Sequence, residues 1–491
     1  MKTATFLATP INLLRGRIAV LRGIGSGITR FAHGLAPKLR FRAFLIPILW
    51  LAMPMMAQAA EEVAGKVGYM SGILVVQRMD GTVKVVGPKS EVYAGDMLIT
   101  AKDSYAQVEM QDGTKVTLRP NSNLRIEAFQ FRKESPQADN VVLRLLKGGL
   151  RTVTGLIGKR GNDRAYELHA ATATIGIRGT DFSARLCASK ECLDDEAANK
   201  PATPQTPQAA VVGRVMLAQG ALSAKEAGGK ERKLQLGEPV YEGDTLITGA
   251  KSYAVVAFRD EGRVSLQEST QFRVEKFTYS QARSEENAVL RLLKGGVRVI
   301  TGLIGRVNHD NYRFNVATAT IGIRGTGFDA WCNGPCANGA DNPGATQANP
   351  LDGAGVYVWA GEVALASLGD EFVVPVEQAA IIARDSGKPV RVNIIPPAIF
   401  DNHTPRPDSI QLDIEKLFGT ESADEPGLYV TVHEGRVILT MGEKSLDLFR
   451  GETGFSNSLI LKLITNTPGF MKDSMEINLM DKHDESCQIG R

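Results

Sequence analysis

Four cysteines stand in two short pairs, Cys187 with Cys192 and Cys332 with Cys336. Two chemistries suit such pairs: a disulfide closing a short loop, or thiolate ligation of a metal. The CxxxxC and CxxxC spacings are loose for a structural zinc site, and no His lies nearby. The reading is therefore Cys187–Cys192 and Cys332–Cys336 disulfides and no metal. Each bridge would contribute on the order of 2 kcal/mol by the loop-entropy model. Cys487 is left over near the C-terminus.

A second string carries polar chemistry. Ala171–Thr180 reads ATATIGIRGT and recurs unchanged at Ala317–Thr326. Arg178 and Arg324 sit between an apolar run and a Gly-Thr turn. A guanidinium fork there could hold a partner or an acidic ligand. It could also bond backbone carbonyls at a tight turn, because buried polar groups need partners; this second reading is preferred. Gly179 and Gly325 read as backbone-conformation residues, with Thr180 and Thr326 completing the turn. Phe182 and Phe328 read as core.

Catalytic patterns are absent. Gly155-Leu156-Ile157-Gly158-Lys159 resembles part of a phosphate loop, but no Ser or Thr follows the Lys and the glycine spacing is wrong. His169, His309, His403, His433 and His483 occupy no repeated position. Glu285-Glu286 falls in a polar loop. No nucleophile and base, and no acid–base pair, can be assembled. The chain reads as non-enzymatic, with no catalytic residue and no cofactor.

The elements that would position these residues are short and duplicated. Gly95–Thr100 (GDMLIT) recurs as Gly243–Thr248 (GDTLIT), and Leu143–Gly149 recurs as Leu290–Gly296. Thr154–Gly158 recurs as Thr301–Gly305. Order and spacing persist through a whole unit, which marks a duplicated domain. A shorter Gly-bounded module begins at Gly65, Gly213, Gly355 and Gly427. Apolar and polar residues alternate in Ala106–Met110 and Lys115–Arg119, which predicts strands with one buried face. Asp112-Gly113 between them predicts a hairpin turn. Val141–Leu145 has helical propensity, but Gly148-Gly149 disfavours a helix and the flanks alternate; it reads as a strand.

Of the 491 residues, 43% are hydrophobic and 23% charged, ordinary for a chain with a real core. No apolar run reaches the roughly 18–20 residues that cross a membrane as a helix. Residues 1–60 hold eight Lys or Arg and no Asp or Glu. The apolar run Ala43–Met56 follows, then Ala57-Gln58-Ala59. A basic region, a short apolar run and an A-x-A site read as a cleavable secretory signal peptide. Cleavage would leave 49 Lys and Arg against 54 Asp and Glu, a charge of about −5. That excludes a basic stripe of the kind nucleic acid requires.

The ordered strings GDMLIT, Asp112-Gly113, Leu-x-Pro-Asn-Ser, Leu-Leu-x-Gly-Gly-x-Arg and Ile-Arg-Gly-Thr-Asp-Phe resemble the FecR domain, the periplasmic part of FecR-type iron-uptake regulators. The resemblance covers about Gly65–Ala184 and again Gly213–Ala330. It implies a β-rich exported domain that senses or transmits a signal by protein contact. The regulators' sigma-factor segment has no counterpart ahead of the apolar run, so that activity does not carry over.

The fold expected is all-β: tandem β-sandwiches or short β-solenoid-like repeats with a C-terminal β module. The expected boundaries are a signal peptide at 1–59, FecR-type domains at 65–186 and 211–332, and a Pro/Ala-rich linker at 187–210. A loop insertion at 333–350, closing strands at 351–395 and a partial third module at 425–480 complete the chain. The expected role is sensing, signalling or scaffolding in the periplasm or cell envelope. The expected partner is an envelope or periplasmic protein that could add a strand to an exposed edge. The alternative is peptidoglycan or another glycan, held by Tyr105, Tyr253, Trp331 and Trp359.

Overall fold

The computed structural model describes residues 62–160, 164–171, 173–188, 210–279, 285–316, 319–323, 325–334, 336, 353–382, 387–393, 403–420 and 425–471. The expected signal peptide, Cys192, Arg324, Cys487 and most of the two expected loops lie outside the described residues. Among the described residues, no helix is long and apolar enough to cross a membrane.

Strands dominate because apolar side chains fall on alternate positions. In Tyr105–Met110 the inward residues Ala106, Val108 and Met110 are buried. The strand pairs with Lys115–Leu118 across the Asp112-Gly113 turn, where Gly113 takes φ +83°. Leu143–Gly149 lies within one long strand, Asn140–Val153. Its glycine pair marks a kink, with Gly148 at φ +77° and Ser122 pressed where a Cβ would stand. Before the kink the strand pairs with Asn123–Gln130 and, in parallel, with Tyr166–Ala170. After it, the partners are Lys115–Leu118 and Ala173–Cys187. One strand thus serves both layers of a sandwich.

The second copy repeats this plan. Asn287–Ile300 pairs with Gln271–Thr278 and Tyr312–Val316, then with Arg263–Leu266 and Gly327–Asn333. Ring contacts cross between its layers. Phe314 meets Phe328 edge-on at 5.3 Å, and Phe258 stacks on Phe277 at 5.3 Å. The lobes have separate apolar cores. The architecture is all-β, and in each lobe two layers of strands enclose an apolar core.

The closing strands reveal the chain's organisation. In the second lobe, Gly353–Ala360 and Glu362–Ser367 pair with Gly327–Asn333 and Ala319–Ile323. In the first lobe, Gly427–Met441 pairs along nearly the whole of Ala173–Cys187. The C-terminal strands, read from sequence as a partial third module, are therefore hydrogen-bonded into the first lobe. Leu428, Val430, Val432, Val437 and Leu439 belong to its core. The first lobe is discontinuous, and the second is inserted within it.

All four Gly-bounded modules share one backbone lock. Val67, Val215, Val358 and Val432 each donate N–H to, and accept N–H from, the turn before the module's last strand. The accepting carbonyls are those of Ser90, Glu238, Gln378 and Glu452, at 2.9–3.0 Å. The module's second glycine (Gly72, Gly220, Gly361 or Gly435) takes φ between +74° and +85°. Only glycine adopts that conformation without strain.

Candidate functional site

The most repeated string turns out to be a clamp. Thr180 N–H donates to Thr154 Oγ1 at 2.8 Å, and Thr180 O accepts Thr154 N–H at 2.9 Å. Thr326 and Thr301 repeat both bonds at 3.0 and 3.1 Å. Gly179 and Gly325 precede these residues at φ +58° and +68°. Phe182 and Phe328 are fully buried. Arg178 is exposed and stands opposite Arg436 in the strand register. Gly155–Lys159, the string with some likeness to a phosphate loop, forms the four-residue helix Leu156–Lys159 and its N-cap Gly155.

That helical turn faces a buried carboxylate that sequence reading passed over as hairpin chemistry. Asp112 Oδ2 accepts from Thr114 Oγ1 at 2.8 Å and from Ile157 N–H at 3.2 Å. Thr114 Oγ1 also accepts from Gly155 N–H at 2.8 Å. In the second lobe Asp260 takes the same place, but Gly262 replaces the threonine. Asp260 Oδ1 accepts from Gly262 N–H at 3.0 Å, while Oδ2 makes no hydrogen bond. Burial pushes its pKa up to about 6, opposed by backbone N–H groups. The recurrence of Asp-x-Gly or Asp-Gly at equal spacing was the available signal.

Ser183 Oγ lies 2.8 Å from His433 Nε2, which resembles a nucleophile and its base. The geometry assigns it another role. The equivalent pair in the second lobe is Asp329 and Trp359, with Trp359 Nε1–H donating to Asp329 Oδ1 at 3.0 Å. Both pairs pin a closing strand to the sheet. Burial, with help from Arg151, pushes His433 down to about 4, which makes it a weak base at neutral pH. Asp181 presents both oxygens to Arg151 at 2.9 and 2.6 Å.

The cysteines and aromatic residues are placed as follows. Cys332 and Cys336 are disulfide-bonded, with Cα atoms 5.2 Å apart. Cys187 is also disulfide-bonded, to a residue outside the described set. Trp331 is only 1% exposed. The Arg406 guanidinium covers Trp359 at 4.0 Å from the ring centroid. Trp331 therefore offers no open aromatic face for a sugar, and one face of Trp359 is covered.

A feature that sequence reading took only as a polar, proline-containing separator at Asp401–Ser409 is a strap. Residues 403–420 cross the face formed by strands Arg263–Leu266 and Asn287–Ile300. Arg298 Nη1 donates to Thr404 O and Arg263 Nη1 to Ile410 O, each at 2.8 Å. The 3-10 turn Pro407–Ser409 packs on both strands, with Pro407 buried. Arg406 pairs with Asp408 at 2.7 Å, which holds the Asp408 carboxyl below its usual range. Beyond the turn, Asp413 caps the helix Ile414–Phe418, and Phe418 is buried with Val211 and Tyr241. No periodicity announces such a segment.

Residues 96–193 and 244–354 match the family model described as FecR protein. The chain carries two FecR domains. No curated protein matches the chain. Crystal structures at 1.65 and 2.50 Å of a candidate anti-sigma factor from Parabacteroides distasonis share 14% identity with it. Each aligns over 30% of this chain and 59% of its own length, with a TM-score of 0.22. The chain thus spans less than two thirds of that protein, and the likeness is too slight to bear on the fold.

The family matches begin after each FecR domain's opening strands, and neither reaches the C-terminal strands that complete the first domain. The FecR match points to a regulatory, non-enzymatic family. The two FecR domains meet through buried charge. Arg214 donates to Glu452, and Tyr241 donates its hydroxyl to Arg450 O at 3.1 Å. The Tyr241 ring contacts the guanidinium groups of Arg232 at 4.9 Å and Arg450 at 4.5 Å. Burial raises the Glu452 pKa, and Arg214 opposes it.

Proposed function

We propose that this protein acts in the periplasm or cell envelope, after export by a cleavable signal peptide, as a non-catalytic sensing, signalling or scaffolding component. It works through protein contacts. One observation carries the reading: the second FecR domain already holds a crossing segment of polypeptide, residues 403–420, by arginine bonds to backbone carbonyls. Fixed cationic donors at the strands of a sheet face hold a segment by its main-chain carbonyls, and the turn with buried Pro407 packs on the same strands. The repeated motifs support the same view, since their hydrogen bonds stabilise turns rather than converge on a reacting atom.

The test is capture from envelope extract on immobilised chain beginning at Ala60, with identification by mass spectrometry. One or more proteins retained above a denatured-chain control is the expected result. Retention of none overturns the protein-contact reading. N-terminal sequencing of chain recovered from a periplasmic fraction tests export, with a start near Ala60 expected and an intact Met1 start counting against it.

A further inference from the structure

The two FecR domains carry the same face. Among the described residues the strap crosses it in the second, while in the first the turn Gly469–Met471 covers only the end at Arg119 and Arg185, both of which donate to Phe470 O. In the first domain the matching surface is a cavity of about 360 Å³. Its lining includes Lys115, Arg151, Leu156 and Lys159. By the repeat alignment these stand where the second domain has Arg263, Arg298, Leu303 and Arg306. Three of the four positions are cationic in both copies, although Lys and Arg exchange at two of them.

In the second domain the segment over those cations carries Asp408, Asp413 and Glu415 against Arg406 and Lys416, and it contains Pro405 and Pro407. Asp408 acts electrostatically on Arg263. Asp413 and Glu415 line a cavity of about 610 Å³ together with Arg263 and Arg306. Two positions of the face differ in burial. Val255 and Ser265 are fully buried, while the counterpart of Val255, Gln107, is half-buried and that of Ser265, Thr117, is 7% exposed. Gln107 is a polar replacement for Val255, as a wetted position requires.

We propose that this face of the first FecR domain is a docking groove for a proline-containing segment of a partner protein that carries carboxylates placed like Asp408, Asp413 and Glu415, chemically like residues 403–418. Lys115 and Lys159 would pair with its carboxylates, and Leu156, 47% exposed, would be covered by its apolar residues. The proposal rests on the protein-contact reading above and names the partner's chemistry.

The probe is a labelled peptide of residues 403–418, titrated onto chain beginning at Ala60 and followed by fluorescence anisotropy. The second domain's groove is filled by its tethered strap, whose high effective concentration excludes the free peptide. One saturable site per chain is expected. Lys115→Glu with Lys159→Glu should weaken it on the order of ten-fold or more. Lys84→Glu with Lys102→Glu, exposed and outside the groove lining, should leave it within about two-fold. A peptide with Asp408, Asp413 and Glu415 changed to Asn, Asn and Gln should bind more weakly and lose its salt dependence. Lys115 and Lys159 are at the surface, and an unchanged thermal transition confirms that the variants fold. Absence of saturable binding, binding indifferent to Lys115 and Lys159, or equal binding of the neutral peptide each overturns the proposal. Capture of envelope partners alongside peptide failure would remove this groove assignment and leave the broader reading standing.

Discussion

Arg214 of the second FecR domain donates to Glu452 of the first, and the two side chains are only 7% and 2% exposed. The pair joins the lobes across 238 residues of sequence. Arg259, nearby, has its pKa lowered by burial and partly restored by Glu452. The interface therefore depends on one carboxylate among two buried guanidinium groups.

Glu452→Ala should be strongly destabilising, because it leaves buried cations without a counter-charge. A loss of about 3–5 kcal/mol is expected in chemical denaturation. Combining Glu452→Leu with Arg214→Met should recover most of that loss, since the desolvation penalty disappears with the charges. A double variant as unstable as the single one would contradict this account.

The two lobes should respond oppositely to pH. Burial pushes Asp260 and Asp329 in the second lobe up to about 6, from an ordinary 3.8. Folding therefore tightens proton binding there. The associated stability is complete below about pH 4 and is lost as pH rises through about 6. In the first lobe His433 is pushed down to about 4 from 6.5. Its contribution is complete above about pH 6.5 and is lost as pH falls through about 4. Each group is worth on the order of 2–3 kcal/mol. Hydrogen exchange at the amides surrounding these three groups should show opposite drifts between pH 4 and 6. Asp260→Asn should flatten the second lobe's drift and His433→Gln the first's.

Gly262→Thr should stabilise the second lobe at neutral pH. The first lobe holds Thr114 at this place, and its hydroxyl donates to Asp112. Supplying the same donor to the unbonded Oδ2 of Asp260 should lower that carboxyl's pKa and add about 1 kcal/mol. Asp260 Oδ1, 2.8 Å from the new Cβ position, must shift to admit it. The check is a carboxyl NMR titration together with a urea midpoint. An unchanged pKa would show that the hydroxyl does not reach the carboxylate.

The Cys332–Cys336 bridge closes a loop of only a few residues. Its removal as Cys332→Ser with Cys336→Ser should cost on the order of 2 kcal/mol in the second lobe. Thiol titration of unreduced chain should find about one free thiol, that of Cys487. Four or five free thiols would contradict the pairing.

The duplicated strands were legible because their signal is local. Alternation in Tyr105–Met110, the Asp112-Gly113 turn and the Gly148-Gly149 kink each declare themselves within a few residues. The Arg178-Gly179-Thr180 string was visible as a repeat, yet its reason lay in Thr154, 26 residues earlier. Asp260 and Glu452 were invisible as special carboxylates, because burial is a property of the packed lobe. The strap had no periodicity to read. Its place is fixed by carbonyl groups, which every sequence possesses.

The nesting of one lobe inside the other imposes a timetable on synthesis. Gly427, which pairs with Cys187, follows it by 240 positions. A chain emerging from a ribosome or a secretion channel delivers the inner sandwich whole before the outer one receives its last pieces. The lobe that starts first finishes last, and meanwhile Ala173–Cys187 waits as an unzipped seam. An escort that shields that seam, or a premature stop that leaves it open for good, would decide between a working molecule and a tangle.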